Sequence, residues 1–168
     1  METITQKICL VEDYGVGKTS IISRFVERKF SDEYLSNVGV KISRKTLELT
    51  QAKVHMLIWD LEGSTKFQAI VPTYLQGAMG AIIVADISRQ ETLEGLREHI
   101  ERFLSINPQG LIIISLNKSD LFNPLEVGEL VDRIQFKDQE QVLATYAISA
   151  KTGQDVDLMF ETLADRLI

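Results

Sequence analysis

The 168-residue chain predicts an α/β fold: a six-stranded, mostly parallel sheet with one antiparallel strand and helices on both faces. Near-continuous apolar runs such as Leu111-Ile112-Ile113-Ile114 recur along it, as strands buried on both faces require. These runs alternate with segments of helical period. Polar or glycine-bearing turns follow several of the runs, at the carboxyl ends of strands, where an open α/β sheet binds its ligands.

Strands are expected near 6–11, 40–49, 53–59, 80–86, 111–116 and 142–148. The second and third are joined by Thr50-Gln51-Ala52-Lys53 and read as a hairpin, which supplies the antiparallel strand. Helices are expected near 18–28, 68–76, 91–106, 125–133 and 154–167. No linker, repeat or low-complexity segment interrupts the pattern, so residues 1–168 read as one domain, long enough to bury a substantial core.

Apolar content of 45% and mean hydropathy of +0.02 are those of a soluble globular chain. A net charge of −6 and a pI of about 5.0 argue against nucleic-acid binding by bulk electrostatics. The single cysteine, Cys9, lies inside an apolar strand and reads as a small buried hydrophobe. No disulfide can form within the chain, which fits a reducing, cytoplasmic setting. The N-terminus lacks a signal-peptide pattern, and no apolar run approaches transmembrane length. The chain ends Ala164-Asp165-Arg166-Leu167-Ile168 without a terminal cysteine, so no prenyl anchor is expected.

The chemistry begins at Asn117-Lys118-Ser119-Asp120, directly after an apolar strand. A carboxylate at a strand end can accept from two neighbouring N–H groups at once. Guanine presents such a pair on N1 and the exocyclic N2; adenine does not. A buried carboxylate facing adenine would stay unmatched, at a cost of roughly 1–3 kcal/mol or more. Asp120 would read the base, the Lys118 stem would lie along its face, and Asn117 would tie this loop to another. Alone, the motif is equally compatible with a polar strand exit.

About one hundred residues earlier, the strand-like Ile8-Cys9-Leu10-Val11 leads to Gly15-Val16-Gly17-Lys18-Thr19-Ser20, and then to Ile21, Ile22 and Phe25 at helical spacing. Strand, glycine turn, Lys-Thr, helix is the context of a phosphate-binding loop. Glycines let backbone N–H groups curl round phosphate oxygens, and the helix N-terminus adds partial positive charge. Lys18 would neutralise the outer phosphates and the Thr19 hydroxyl would hold Mg²⁺. An ordinary glycine turn capped by Thr19 is the alternative. The full pattern has glycine where this chain has Glu12, and Asp13 and Tyr14 fill the middle. Glu12 and Asp13 are compatible with bound phosphates only if they point away from them.

A third strand, Leu57-Ile58-Trp59, ends in Asp60, with Gly63 three residues on. Asp60 can reach Mg²⁺ through water, and the Gly63 N–H can bond a terminal phosphate. A polar cap and a turn glycine would look the same. A fourth segment, Ser149-Ala150-Lys151, follows a strand-like run and could offer the Ala150 N–H to guanine O6.

With these motifs in this order, the chain resembles the Ras superfamily of small GTPases, most closely its Rab-like branch, from about Gln6 to Ile168. Val38-Gly39-Val40, Leu47-Glu48-Leu49, Trp59 and the run Phe67–Ala78 are similar to Rab segments. Lys41-Ile42-Ser43 and the compact C-terminus are more similar to the Rab-like proteins of bacteria. The resemblance implies a P-loop NTPase G domain that binds GTP or GDP with Mg²⁺, places Phe30 against the base, and meets effectors or regulators through segments 30–42 and 60–76. It implies a monomer.

It also exposes departures. The catalytic glutamine of the family is replaced by Ser64, and the following Glu by Thr65. Ser64 is too short to hold the attacking water in the same place. Tyr14 brings bulk to the same region. Asn37 stands where a switch threonine ligates Mg²⁺; its amide oxygen remains a hard neutral donor. Of the Rab aromatic patch, Trp59 and Tyr74 are present, while the third position is Ile42. The expectation is a GTPase with intact nucleotide binding and slow or partner-dependent hydrolysis, in which Lys18 acts on the phosphates. The alternative is a nucleotide-dependent binding module without meaningful turnover. His55, in a strand, and His99, on the polar side of a helix, are expected to be bystanders.

Overall fold

A computed structural model describes residues 1–13, 19–26, 32–35, 40–62 and 72–168, with the side chains at 19, 20, 26, 32–35 and 62 left undescribed. The strands are β1 (Glu2–Glu12), β2 (Asp32–Leu35), β3 (Lys41–Glu48), β4 (Ala52–Glu62), β5 (Gly80–Asp86), β6 (Leu111–Asn117) and β7 (Val142–Ala147). The helices are α1 (Thr19–Val26), α2 (Gln90–Glu94), α3 (Leu96–Ile106), α4 (Pro124–Arg133) and α5 (Val156–Arg166). The sheet order is β2-β3-β4-β1-β5-β6-β7. β4, β1, β5, β6 and β7 run parallel, and β3 is antiparallel to both β2 and β4.

The period of 2 along β1 divides the core. Ile8 and Leu10 join a cluster with Phe25 of α1 and Phe160 of α5. Cys9 and Val11 point to the other face, among Leu96, Ile100 and Phe103 of α3. The Phe25 and Phe160 rings stack at 3.8 Å between centroids and 9° between planes, which fixes α1 on α5. Cys9 is fully buried, and burial pushes its thiol up to about 12, against the opposing pull of the Lys7 charge. At that value it is an inert hydrophobe, as the sequence suggested.

The six expected strands are all present, and one short edge strand, β2, is added beyond β3. β1 begins at Glu2, four residues before the apolar run, because pairing with β4 starts at Glu2↔Ala52. Periodicity cannot register those largely exposed first residues. The helix expected over 91–106 is broken at Gly95 into α2 and α3. A Cβ there would lie 3.1 Å from Asp13 Oδ2, so glycine at this position leaves room for the Asp13 side chain. Of the helix expected over 68–76, residues up to 71 lie outside the described residues. Pro72–Leu75 forms a 3₁₀ turn, and it gives way to Gly77 at φ +79°. Among the described residues no helix is long and apolar enough to cross a membrane.

Glycine separates two kinds of site in this fold. At Gly110 a Cβ would meet Phe103 Cε2 at 2.6 Å, and Phe103 is fully buried. At Gly128, inside α4, nothing lies within 4 Å. Gly110→Ala is expected to lower unfolding free energy by about 1–3 kcal/mol through overpacking. Gly128→Ala should raise it by about 0.5–1 kcal/mol through helix propensity. Urea denaturation of both variants checks the pair; equal shifts would contradict the packing described.

Candidate nucleotide site

The parallel strands deliver their polar residues to one edge. Asp60 lies beside Leu10 in the β4–β1 register, Glu12 ends β1, and Asp86 of β5 is paired with Asn117 of β6. All stand at or near the carboxyl ends.

Asn117 is the centre of the best-defined part. It is 3% exposed, and its Oδ1 accepts from the Lys118 N–H at 2.8 Å and from the Ala150 N–H at 3.2 Å. The Ser119 N–H donates to Ile148 O at 3.0 Å, and Ile148 N–H to Leu116 O at 2.9 Å. The loops after β6 and β7 are thereby held as one unit. Within it, Ser149 Oγ donates to Asp120 Oδ1 at 2.8 Å and accepts from the Thr152 N–H at 3.1 Å. Asp120 is exposed, and its Oδ2 has no hydrogen-bond partner among the described residues. The Ala150 N–H, expected to await a base oxygen, is occupied by Asn117 in this arrangement.

Lys118 takes φ 72°, in the left-handed region. Its Nζ lies 2.8 Å from Asp86 Oδ2. Asp86 is fully buried, and its Oδ1 accepts from the Ser88 N–H at 2.9 Å and from Ser88 Oγ at 2.5 Å. Burial alone would raise the Asp86 pKa; the hydrogen bonds from Lys118 and Ser88 outweigh it and hold the carboxyl below its ordinary value.

Two further ties escaped the sequence reading. Arg24 of α1 donates through Nε to Ala150 O at 3.1 Å and through Nη2 to Lys151 O, joining the helix after the glycine turn to the loop after β7. Asp13 turns onto α3, its Oδ1 2.7 Å from His99 Nε2. His99 is therefore no bystander on a polar face: it is 9% exposed and ties α3 to Asp13, just past the end of β1. Both partnerships span long sequence separations, and no local spacing announces them. Asp13 thus engages α3, and Glu12 is fully buried. His55 bonds Thr46 Oγ1 through Nδ1 at 2.7 Å across the hairpin.

Of the expected contacts, Gly15, Val16, Gly17, Lys18, Phe30, Asn37, Gly63, Ser64 and Tyr14 lie outside the described residues, and Thr19 and Ser20 are described by their helical backbone alone. Asp60, Asn117, Lys118, Asp120, Ser149, Ala150 and Lys151 are described, and the last six form a single cluster. Beyond it, Ile42 is 4% exposed and sits opposite Trp59, whose ring carries Lys7 Nζ at 3.7 Å. That third position of the aromatic patch is thus buried aliphatic core.

The family model described as Ras family matches residues 7–168. Ras-related protein Rab-22A of Homo sapiens is 32% identical over 163 residues, covering 96% of this chain and 82% of the relative. Ras-related protein RABF2a of Arabidopsis thaliana is 32% identical over 167 residues, covering 99% and 82%. GTP-binding protein ypt5 of Schizosaccharomyces pombe is 32% identical over 167 residues, covering 98% and 79%. The chain belongs to the Ras family. It is a Rab-like small GTPase of P-loop fold, whose ligands are GTP or GDP and Mg²⁺. The groups described fit such ligands: a carboxylate oxygen of Asp120 without a partner among the described residues, and Asp60 near the end of β4.

The two ends of this cluster differ in what they hold. Removing Asn117 Oδ1 orphans two N–H groups, at about 1–3 kcal/mol each. Asn117→Ala is expected to lower unfolding free energy by about 2–4 kcal/mol in nucleotide-free protein. Asp120→Ala, at an exposed side chain, should change it by less than about 1 kcal/mol. Chemical denaturation without nucleotide measures both; a large loss for Asp120→Ala would make it a structural member of the cluster.

Proposed function

We propose that residues 1–168 form one G domain that acts as a nucleotide-dependent switch with very slow intrinsic GTP hydrolysis. The observation that supports this reading is the cluster of Asn117, Lys118, Asp120 and Ser149, whose hydrogen bonds hold the loops after β6 and β7 together. In this reading Asp120 accepts from guanine N1 and N2, and Lys118 covers the base with its stem. Phe30, Ser149, Ala150 and Lys151 complete the base side. Gly15, Val16, Gly17, Lys18, Thr19 and Ser20 surround the phosphates. Thr19, Asp60 and Asn37 hold Mg²⁺ directly or through water. The terminal phosphate orders segments of about 30–39 and 61–73, Asn37 and Gly63 contributing their backbone N–H groups. Effectors or regulators then read segments 30–42 and 60–76. The protein works in the cytoplasm as a monomer.

Slow hydrolysis rests on Ser64, in the place of the water-orienting glutamine, and on Tyr14. A partner that supplies an arginine could restore about 10³ to 10⁵ in rate. The same Ser64 favours a second reading, a binding module that reports GTP occupancy with no meaningful turnover. Single-turnover hydrolysis with and without cell lysate separates the two.

Guanine preference is expected to depend on Asp120. Asp120→Asn should shift preference from guanine toward xanthine, whose carbonyl needs a donor where guanine has an amino group. Competition against bound GDP measures it. If ATP competes with the wild-type protein as well as GTP does, guanine reading by this cluster is wrong.

Hydrolysis should respond to two changes together. Ser64→Gln restores an amide that can orient water, but Tyr14 crowds the same space. The double variant Tyr14→Gly, Ser64→Gln is expected to raise single-turnover hydrolysis by more than the product of the single effects. GTP consumption by excess protein, for wild type, both singles and the double, gives the answer. Merely multiplicative effects would remove the steric part of the argument, and fast wild-type turnover would remove all of it.

A further inference from the structure

We propose that Asp86 is a positioning residue for base recognition: anchored by Ser88, it fixes the Lys118 ammonium and so presets the lysine stem as a platform for the guanine face. The inference rests on the guanine-binding reading above and assigns to β5 a role in the site that the recognition motifs themselves do not carry.

The geometry confines Lys118 at both ends. At its backbone, the N–H donates to Asn117 Oδ1 at 2.8 Å, the carbonyl accepts from the Leu121 N–H at 3.0 Å, and φ is 72°. A non-glycine residue holds such a φ only where its surroundings over-determine it. At its other end, Nζ sits 2.8 Å from Asp86 Oδ2. Asp86 and Asn117 are register neighbours on β5 and β6, so the four-carbon stem runs back across the carboxyl ends of two parallel strands. That edge is where the fold places its ligand.

Asp86 is suited to hold a cation in one place. It is fully buried, whereas the Lys118 side chain is 42% exposed. Its other oxygen is taken by the Ser88 N–H and hydroxyl, which leaves Oδ2 for the lysine. The Asp86 N–H accepts no freedom either: it donates to Thr92 Oγ1 at 2.9 Å, and that hydroxyl lies 2.9 Å from Asp86 O. A free lysine side chain samples many rotamers and loses that freedom when it is held. A stem already ordered before the base arrives spares the complex that loss. Asp86 therefore raises affinity for the base without touching it.

The test uses the full chain and GDP and IDP as probes. IDP lacks the exocyclic amino group that Asp120 accepts from, but offers the same ring face. Asp86→Asn keeps the shape and removes the charge; Lys118→Met keeps a stem and removes the ammonium. Asp86→Asn is expected to weaken GDP and IDP equally, by about tenfold, the scale of one charge-assisted hydrogen bond partly lost. In the Lys118→Met background the same change should have no further effect, because the platform has already lost its anchor. Ser88→Ala should give a smaller loss, of about threefold, that also vanishes with Lys118→Met. It carries the comparison should Asp86→Asn fold poorly. Undiminished GDP binding by Asp86→Asn, or losses that multiply with Lys118→Met, would overturn the positioning role while leaving guanine binding intact. A larger loss for GDP than for IDP would also overturn it, placing Asp86 in amino-group recognition. A wild-type protein that binds neither nucleotide overturns the guanine reading itself.

Discussion

One oxygen atom governs the geometry of the candidate site. Asn117 Oδ1 accepts from the residue after it and from Ala150, on the loop after the neighbouring strand. Parallel strands cannot share a tight turn, so β6 and β7 reach the same edge from distant parts of the chain. Something must hold their ends in register, and a buried amide does so at low cost because its acceptor is satisfied twice. Asp120, Ser149 and Lys118 inherit their positions from that tie. Arg24 extends it to α1 through the Ala150 and Lys151 carbonyls, so the helix after the glycine turn and the base-side loops are joined directly.

The same edge must accommodate acid. Glu12 and Asp86 are fully buried there, and Asp13 and Asp60 stand close by. The fold disposes of the acids where the pairing can be traced. Asp86 is matched by a lysine, a hydroxyl and an N–H; Asp13 is turned away onto His99. The break of the helix at Gly95 belongs to this arrangement, since a side chain there would press on Asp13. An acidic phosphate-loop entry is thus compatible with the fold because α3 takes up one of its two carboxylates.

The strands were legible because double-sided burial leaves apolar runs with polar ends. The helix expected at 125–133 is present, and Asn123 caps it, accepting from the Glu126 N–H at 2.9 Å, with Pro124 at its first turn. The short β2 was not legible: Asp32-Glu33-Tyr34-Leu35 has no apolar run to announce it, and it forms by pairing with β3. The break at Gly95 was missed because one glycine in a helical period is tolerated locally, and the Asp13 side chain that a Cβ there would meet comes from a distant part of the chain. In the site, Asn117 and Asp120 were legible as a local motif. Asp86 and His99 were not, because their meaning lies in partners 32 and 86 positions away.

Family membership does not carry equal weight for the two halves of a GTPase. Binding draws on groups set by the sheet: strand ends, their hydrogen-bonded loops, and a lysine held in a strained conformation. At the ends of β6 and β7, Asn117, Lys118, Asp120 and Ser149 match the family's motifs. Hydrolysis needs a water held beside the terminal phosphate, and in the proposed site Ser64, Tyr14 and Asn37 are the residues assigned to that end of the nucleotide. A displacement of about 1 Å in such a group can cost about a hundredfold in rate, whereas affinity is spread over many contacts. On the proposed reading the chain keeps the switch while losing the clock that resets it. In such a protein the lifetime of the GTP state passes from its own chemistry to its partners and to nucleotide exchange.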